Sequence, residues 1–226
     1  PMDPALLEEV TALGEWPVAV AGGFEERFLA LPPEALISSM KEHQRYFHMV
    51  DGEGRLLPHF ITISNVESRD PEQVRLGNER VIRPRLSDAE FFWQQDRAQP
   101  LAARGKSLDE VVFQQRLGSL GDKAARVADL AAHIAERLDA DPALARRAAQ
   151  LAKCDLLTEM VGEFPDLQGV MGAYYAEQDG EPAEVAAAIR AHYLPRYAGD
   201  ALPETPVAQA LALADRLDTL VGIFAV

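Results

Sequence analysis

The sequence predicts an α+β N-terminal part followed by a mostly α-helical part. Two β-prone runs, residues 46–50 and 57–64, flank the turn-forming residues Asp51-Gly52-Glu53-Gly54, which is the pattern of a β-hairpin. From Leu108 onward, alanine-rich stretches place apolar residues at helical spacing, and several of them begin at a proline. We therefore expect two kinds of architecture in succession along the chain.

The N-terminal part combines helices with strands. Asp3-Pro4 is typical of a helix N-cap followed by proline in the first turn, and Gly14 predicts the end of that helix. Residues 17–20 form a short β-prone run, and a second helix is predicted to start at Pro33. Residues 1–66 are accordingly interpreted as one α+β segment.

The remaining chain is predicted to be helical. Residues 71–98 are arginine-rich and helical in pattern, with Pro84 as a break or kink, and they belong to a connector over residues 67–114. Residues 115–226 form an all-α domain, and the apolar helical pattern at the end suggests truncation at the C-terminus. Its predicted helices span residues 120–138, 142–161, 182–193 and 206–224.

Composition narrows the class of protein. Hydrophobic residues make up 48% and charged residues 26% of the 226 residues, which is an ordinary globular mix. No apolar run approaches the roughly 20 residues of a membrane span, and the single cysteine, Cys154, fits a reducing compartment. These features predict a cytoplasmic protein. The formal net charge of −14 argues against generic polyanion binding, although residues 69–126 carry 11 basic and 9 acidic side chains.

Several uncommon strings occur in a fixed order. They are KEHQRYF at 41–47, GNERVIRPRLSDAEFFW at 77–93, LGSLGDK at 117–123, KCDLLTEMVGEF at 153–164 and ADRLDTLVGIF at 214–224. Together they resemble the β subunit family of the bacterial two-subunit glycyl-tRNA synthetase. By this resemblance residues 1–66 look like the end of a region similar to the B3/B4 part of phenylalanyl-tRNA synthetase, and residues 115–226 look like most of an HD-like helical domain.

The resemblance also implies partners and chemistry. In that family a separate α subunit carries the catalytic site and uses ATP and Mg²⁺ to join glycine to tRNA, and the subunits form a heterotetramer. The expected partners of this chain are the glycyl-tRNA synthetase α subunit and glycine tRNA, with no membrane and no DNA partner. No catalytic residue and no cofactor is expected in this chain itself.

The resemblance further implies a tRNA-facing surface, for which charge and position suggest candidates. Arginine and lysine bind phosphate oxygens, and glutamine donates hydrogen bonds to RNA. The tRNA-binding candidates are Lys41, Gln44, Arg45, Arg80, Arg83, Arg85, Lys123 and Arg126. The alternative for the arginines is ion pairing within the helix and with its neighbours.

The helical half also resembles, in outline, the HD superfamily of metal-dependent phosphohydrolases. That superfamily holds a divalent metal with an upstream His, a His-Asp dyad and a distant Asp. Here Cys154 stands where the dyad His would be, followed by Asp155, and Asp215 is the distant carboxylate. His133 lies mid-helix and is a poor candidate for the upstream ligand. We interpret Cys154, Asp155 and Asp215 as degenerate HD positions and expect no metal site.

Two alternatives remain open at this point. The chain could be an HD-type metal-dependent phosphohydrolase, which predicts activity that depends on Asp155 and Asp215, or a purely structural module. Asp155, Glu159 and Glu163 follow one another at i, i+4 and i+8, which predicts a solvated acidic helix face or a residual metal surface.

Overall fold

The computed structural model describes residues 3–226 and divides into two compact units, the first ending at Gln95 and the second comprising Asp96–Val226. The first unit contains α1 (Pro4–Leu13), β1 (Val18–Gly23), a 3₁₀ helix (Glu26–Ala30), α2 (Pro33–Gln44), β2 (Phe47–Val50), β3 (Leu56–Ser64) and α3 (Pro71–Asp96), whose last residue belongs to the second unit. The predicted α+β character of the N-terminal part is confirmed.

The three strands form one antiparallel sheet in the order β1-β3-β2. Phe47 pairs with Ile61, and the Asp51 carboxylate accepts hydrogen bonds from the backbone N–H groups of Glu53 and Arg55, both at 2.9 Å. The side chain thereby closes the turn, as aspartate commonly does, and the predicted hairpin is confirmed. Asp3 caps α1 by accepting from the N–H of Ala5 at 3.0 Å.

The core of the first unit lies between the sheet, α2 and α3. Its buried cluster consists of Phe28, Leu31, Leu36, Met40, Tyr46, Phe60, Ile82 and Leu86. The Tyr46 and Phe60 rings stack with centroids 4.5 Å apart, and the Tyr46 hydroxyl donates to Asn78 Oδ1 at 2.6 Å. Pro84 lies inside α3 and does not end it, although it has no N–H to donate to the carbonyl of Arg80. The first unit thus has its own apolar core.

The second unit is helical, as predicted. It contains a 3₁₀ helix (Leu101–Glu110), β4 (Val112–Gln114), β5 (Gly118–Ser119), α4 (Leu120–Arg137), α5 (Pro142–Leu151), a 3₁₀ helix (Cys154–Leu157), α6 (Glu159–Glu163), a 3₁₀ helix (Pro165–Leu167), α7 (Val170–Gln178), α8 (Ala183–Ala191) and α9 (Pro206–Ala225). Asp141 and Thr205 cap α5 and α9 at the predicted starts, because their side-chain oxygens accept from backbone N–H groups of the first turns.

One predicted helix is wrong. Residues 142–161 were expected to form a single helix, but α5 ends at Leu151 and the chain then turns through the 3₁₀ helix Cys154–Leu157 before α6 begins. The break places Asp155 in the interior, whereas Glu159 and Glu163 are exposed. The predicted shared acidic face is therefore wrong as well.

Among the helices of residues 3–226, none is long and apolar enough to cross a membrane.

Candidate functional site

Five ionisable side chains meet inside the second unit, where ordinary cores contain apolar ones. We call them the buried polar cluster, and all but Asp215 are less than 9% exposed. Its members come from four places in the sequence, namely α4, the turn that begins the 3₁₀ helix after α5, the end of α8, and α9. They are Lys123, Lys153, Asp155, His192 and Asp215.

Asp215 lies between two ammonium groups. Its Oδ1 is 3.1 Å from Lys123 Nζ and its Oδ2 is 3.1 Å from Lys153 Nζ. Burial alone would raise the pKa of Asp215, but the charges of Lys153 and Lys123 outweigh burial and hold the pKa below its ordinary value. Lys123 also reaches Asp218 Oδ2 at 3.2 Å and Thr219 Oγ1 at 2.7 Å. The two ammonium groups neutralise the carboxylate and repel a further cation.

His192 is fully buried and completes the contacts of Lys153. Its Nδ1 lies 2.6 Å from the Ile189 carbonyl, so Nδ1 carries the proton and Nε2 accepts from Lys153 Nζ at 2.9 Å. Burial and the charge of Lys153 lower the pKa of His192 to about 3, which keeps the ring neutral. Burial likewise lowers the pKa of Lys153.

Asp155 acts within the cluster as a cap for α7. Its Oδ2 accepts from the N–H of Gly169 at 2.6 Å and from the N–H of Gly172 at 3.1 Å. A side chain at position 172 would come within 2.9 Å of this oxygen, so glycine permits the approach. Burial raises the pKa of Asp155 to about 6, because two backbone donors compensate only part of the lost hydration.

The geometry does not fit a divalent metal, which the HD resemblance would otherwise suggest. Cys154 is buried with its Sγ 3.4 Å from the Gln150 carbonyl, and burial raises the pKa of its thiol to about 12. His133, the remaining candidate for an upstream ligand, has a side chain that is 60% exposed. Over residues 3–226, no group of three or more His, Cys, Asp or Glu side chains is arranged to hold a metal ion. Lysine ammonium groups lie beside Asp215, where a dication would have to bind.

The raised pKa of Asp155 predicts a pH effect on stability. Between 3.8 and about 6 the folded state keeps a proton that the unfolded state has released, so the Asp155 contribution to the free energy of unfolding falls as pH rises through this window. In Asp155→Asn, position 155 carries no ionisable group, so the variant lacks this pH-dependent contribution to the free energy of unfolding. We therefore expect the stability of the variant, relative to the parent chain, to rise by about 2–3 kcal/mol across the window and then level off.

Urea unfolding at a series of pH values from about 4 to about 7 measures this difference. His192 adds an opposite slope, because its lowered pKa makes folding less favourable as pH falls below 6.5, but it does so in both proteins. Asp129→Asn replaces a carboxylate whose side chain is 77% exposed and is the control for the loss of one surface carboxylate. A flat difference for Asp155→Asn would mean that Asp155 ionises at its ordinary pKa.

The first-unit candidates for tRNA contact lie on two helices. Lys41 lies in the last turn of α2 and pairs with Asp3 at 2.7 Å, and Arg45 is the C-cap residue of α2 and pairs with Glu9. Gln44 is half-buried beside them. On α3, Arg80, Arg83 and Arg85 are exposed, and Arg83 pairs with Glu25 at 2.7 Å. These five basic residues and Gln44 stay predictions as RNA contacts.

The two candidates of the second unit sit differently. Lys123 is only 4% exposed and its ammonium is held by Asp215, Asp218 and Thr219, so it cannot reach an RNA phosphate in this structure. Arg126 is partly exposed, and its guanidinium binds Asp218 at 2.6 Å and the Leu117 carbonyl at 3.0 Å. The Lys123 position is thereby corrected from a surface contact to a member of the buried polar cluster.

Sequence reasoning missed Lys153 and His192 as parts of the site. A usable signal was present, because Lys153 directly precedes Cys154-Asp155 and so occupies the same turn as two degenerate HD positions. The same turn in the structure carries the ammonium that binds both His192 and Asp215.

Comparison with known proteins identifies the family. A family model described as "Glycyl-tRNA synthetase beta subunit" matches residues 1–226. The Glycine--tRNA ligase beta subunit of Chromohalobacter salexigens is 62% identical over 225 residues, which cover 100% of this chain and 33% of that protein. The proteins of the same name from Marinobacter nauticus and Hahella chejuensis are 60% and 59% identical, and this chain covers 32% of each. The chain spans about a third of the length of these relatives, and it belongs to the glycyl-tRNA synthetase beta subunit family.

Proposed function

We propose that this chain is a tRNA-holding and scaffolding part of a glycine–tRNA ligase β subunit in the cytoplasm. In this proposal a separate α subunit holds the catalytic site, uses ATP and Mg²⁺, and joins glycine to tRNA. The observation that carries the proposal is the match of residues 1–226 to the beta subunit family, together with relatives of 62% and 60% identity that bear the name Glycine--tRNA ligase beta subunit.

The buried polar cluster supports a role without hydrolysis. A phosphohydrolase of HD type needs a metal to activate water, and Asp215 is instead neutralised by Lys123 and Lys153. Asp155 is occupied as the cap of α7. Each carboxylate has a structural partner, so the geometry favours scaffolding over the hydrolase alternative.

The exposed arginines of α3 support the tRNA-holding role. Guanidinium groups bind phosphate through paired N–H donors, and Arg80, Arg83 and Arg85 lie within two turns of one another on the helix. Because the chain has a net charge of −14 and as a whole repels polyanions, RNA contact needs a local concentration of basic side chains, and this segment of α3 supplies one.

Fluorescence anisotropy with glycine tRNA, a non-cognate tRNA and a salt series tests the proposal. We expect binding that favours the cognate tRNA and weakens with salt, and we expect the double variant Arg80→Gln/Arg85→Gln to reduce the salt slope by about one per lost phosphate contact. Arg137→Gln, which removes an exposed arginine from α4, is the matched control. No binding of the parent chain at low salt would reject the tRNA-holding role and leave the structural module.

A further inference from the structure

An open cavity of about 690 Å³ lies in the second unit beside the end of α8. Three arginines line it, together with one carboxylate and two neutral polar side chains. We call it the arginine cavity, and the lining residues that matter here are Asp166, Gln168, Arg190, Tyr193, Arg196 and Arg216. The second unit has more acidic than basic residues, so three guanidinium groups around one cavity are a local departure from its overall charge.

Arg216 carries a charge that no side chain neutralises. Its Nη1 donates to the carbonyls of His192 and Ala212, both at 3.0 Å, and its Nη2 donates to those of Tyr193 and Pro195 at 2.9 and 3.0 Å. Across the described part of the chain, Arg216 takes part in no ion pair. The carbonyl dipoles fix the guanidinium in place but leave its unit positive charge, and half-buried charges are stabilised by a counter-ion.

The other two arginines are each oriented by a neighbouring side chain. The Arg196 side chain is 63% exposed, and its Nε lies 2.9 Å from Asp200 Oδ2. Arg190 stacks its guanidinium 4.7 Å from the centroid of the Tyr174 ring, which orients it. Asp166 is the carboxylate on the cavity wall, so the lining retains a positive balance.

The inner wall connects the cavity to the buried polar cluster. Tyr193 lines the cavity, and the Lys153 ammonium lies 4.0 Å from the centroid of its ring. The His192 and Tyr193 ring centroids are 3.9 Å apart. Tyr193 is therefore in contact with both the arginine cavity and the buried polar cluster.

We propose that the arginine cavity binds a phosphate group, borne either by a free nucleotide or by RNA. Phosphate oxygens match the paired N–H donors of guanidinium groups, and the volume is sufficient for a nucleotide. None of the surface residues suggested from the sequence lines this cavity, so the site is separate from the α3 arginines. The proposed phosphate binding rests on the cavity itself. Only the assignment of the phosphate to RNA rests on the proposed function.

Isothermal titration calorimetry of the 226-residue chain with inorganic pyrophosphate and with AMP tests the proposal. We expect saturable, salt-sensitive binding of at least one probe, weakened tenfold or more by Arg190→Gln/Arg196→Gln and unchanged by Arg137→Gln. Arg216→Gln, checked for folding by circular dichroism, should weaken binding as well, because it removes the uncompensated charge. No saturable binding of either probe, or equal weakening by the Arg137 control, would overturn the proposal.

Competition with glycine tRNA separates the two phosphate sources. Displacement of the bound probe by tRNA assigns the cavity to an RNA phosphate, whereas probe binding unaffected by tRNA assigns it to a free nucleotide. The outcomes also separate the two hypotheses. If the chain binds the probe but not tRNA, the phosphate site is retained and the proposed function is rejected. If the chain binds tRNA equally well with and without Arg190→Gln/Arg196→Gln and does not bind the probe, the proposed function is retained and the phosphate site is rejected.

Discussion

Replacing Asp215 by asparagine is expected to lower the free energy of unfolding of the chain by about 3–5 kcal/mol. Asparagine has nearly the same shape, so the change removes the negative charge and little packing. Lys153 would keep His192 as its hydrogen-bond partner but lose its counter-ion, while its side chain remains 10% exposed. Lys123 would be affected less, because Asp218 still lies 3.2 Å from its ammonium.

Urea unfolding followed by far-ultraviolet circular dichroism measures the loss, since most of the helical signal comes from the second unit. Asp129→Asn breaks the exposed pair with Arg146 and should cost no more than about 1 kcal/mol. Asp215→Asn/Lys153→Met replaces both partners and should recover most of the loss, because neither new side chain carries a charge that needs a counter-ion. If Asp215→Asn alone is as stable as the parent chain, the cluster is hydrated or discharged and the pairing is not its stabilising element.

Local signals in the sequence predicted much of the fold because the corresponding interactions are local. Asp3 and Asp141 bond to N–H groups two and three residues away, and Asp51 closes its turn within four residues. Such contacts form wherever a short side-chain oxygen precedes free backbone donors, so residue type and spacing suffice to find them. The helix starts and the hairpin follow from this.

The candidate site could not be predicted in the same way, because its contacts join distant positions. Lys153 meets His192 across 39 residues and Asp215 across 62 residues. Lysine is rarely buried, so the pattern of charged residues favoured exposure for Lys123 as well. The chain also leaves the helix after Leu151, where the apolar spacing continued without a stop signal, and this turn carries Asp155 inward. Tertiary packing therefore determines both the burial of the lysines and the end of α5 at Leu151.

Asp96 holds a second long-range contact set, at the start of the second unit. Its carboxylate is 2% exposed and accepts from the N–H groups of Glu159 and Met160 at 2.9 and 3.0 Å, which caps α6 from 63 residues away. The Tyr175 hydroxyl donates to Oδ2 at 2.8 Å, and burial together with Asp96 raises the pKa of Tyr175. The buried Arg104 guanidinium lies 3.5 Å from Oδ1. One side chain thus satisfies three donors and one buried cation.

Asp96→Ala should therefore lower the free energy of unfolding by about 3–5 kcal/mol, since it leaves Arg104 without its counter-ion and several buried donors without an acceptor. Tyr175→Phe removes the hydrogen bond from the tyrosine hydroxyl to Asp96 and should cost about 1 kcal/mol. Asp141→Ala, which removes a local cap from α5, should also cost about 1 kcal/mol and is the matched control.

Urea unfolding of these variants, with the double variant Asp96→Ala/Tyr175→Phe, gives the coupling between the two side chains. We expect the double variant to be less destabilised than the sum of the single ones, because the hydrogen bond between the Tyr175 hydroxyl and Asp96 can be lost only once. Equal losses for Asp96→Ala and Asp141→Ala would show that Asp96 acts as a simple cap. A larger loss at Asp96 would identify its carboxylate as the acceptor that holds α6, Tyr175 of α7 and Arg104 together within the second unit.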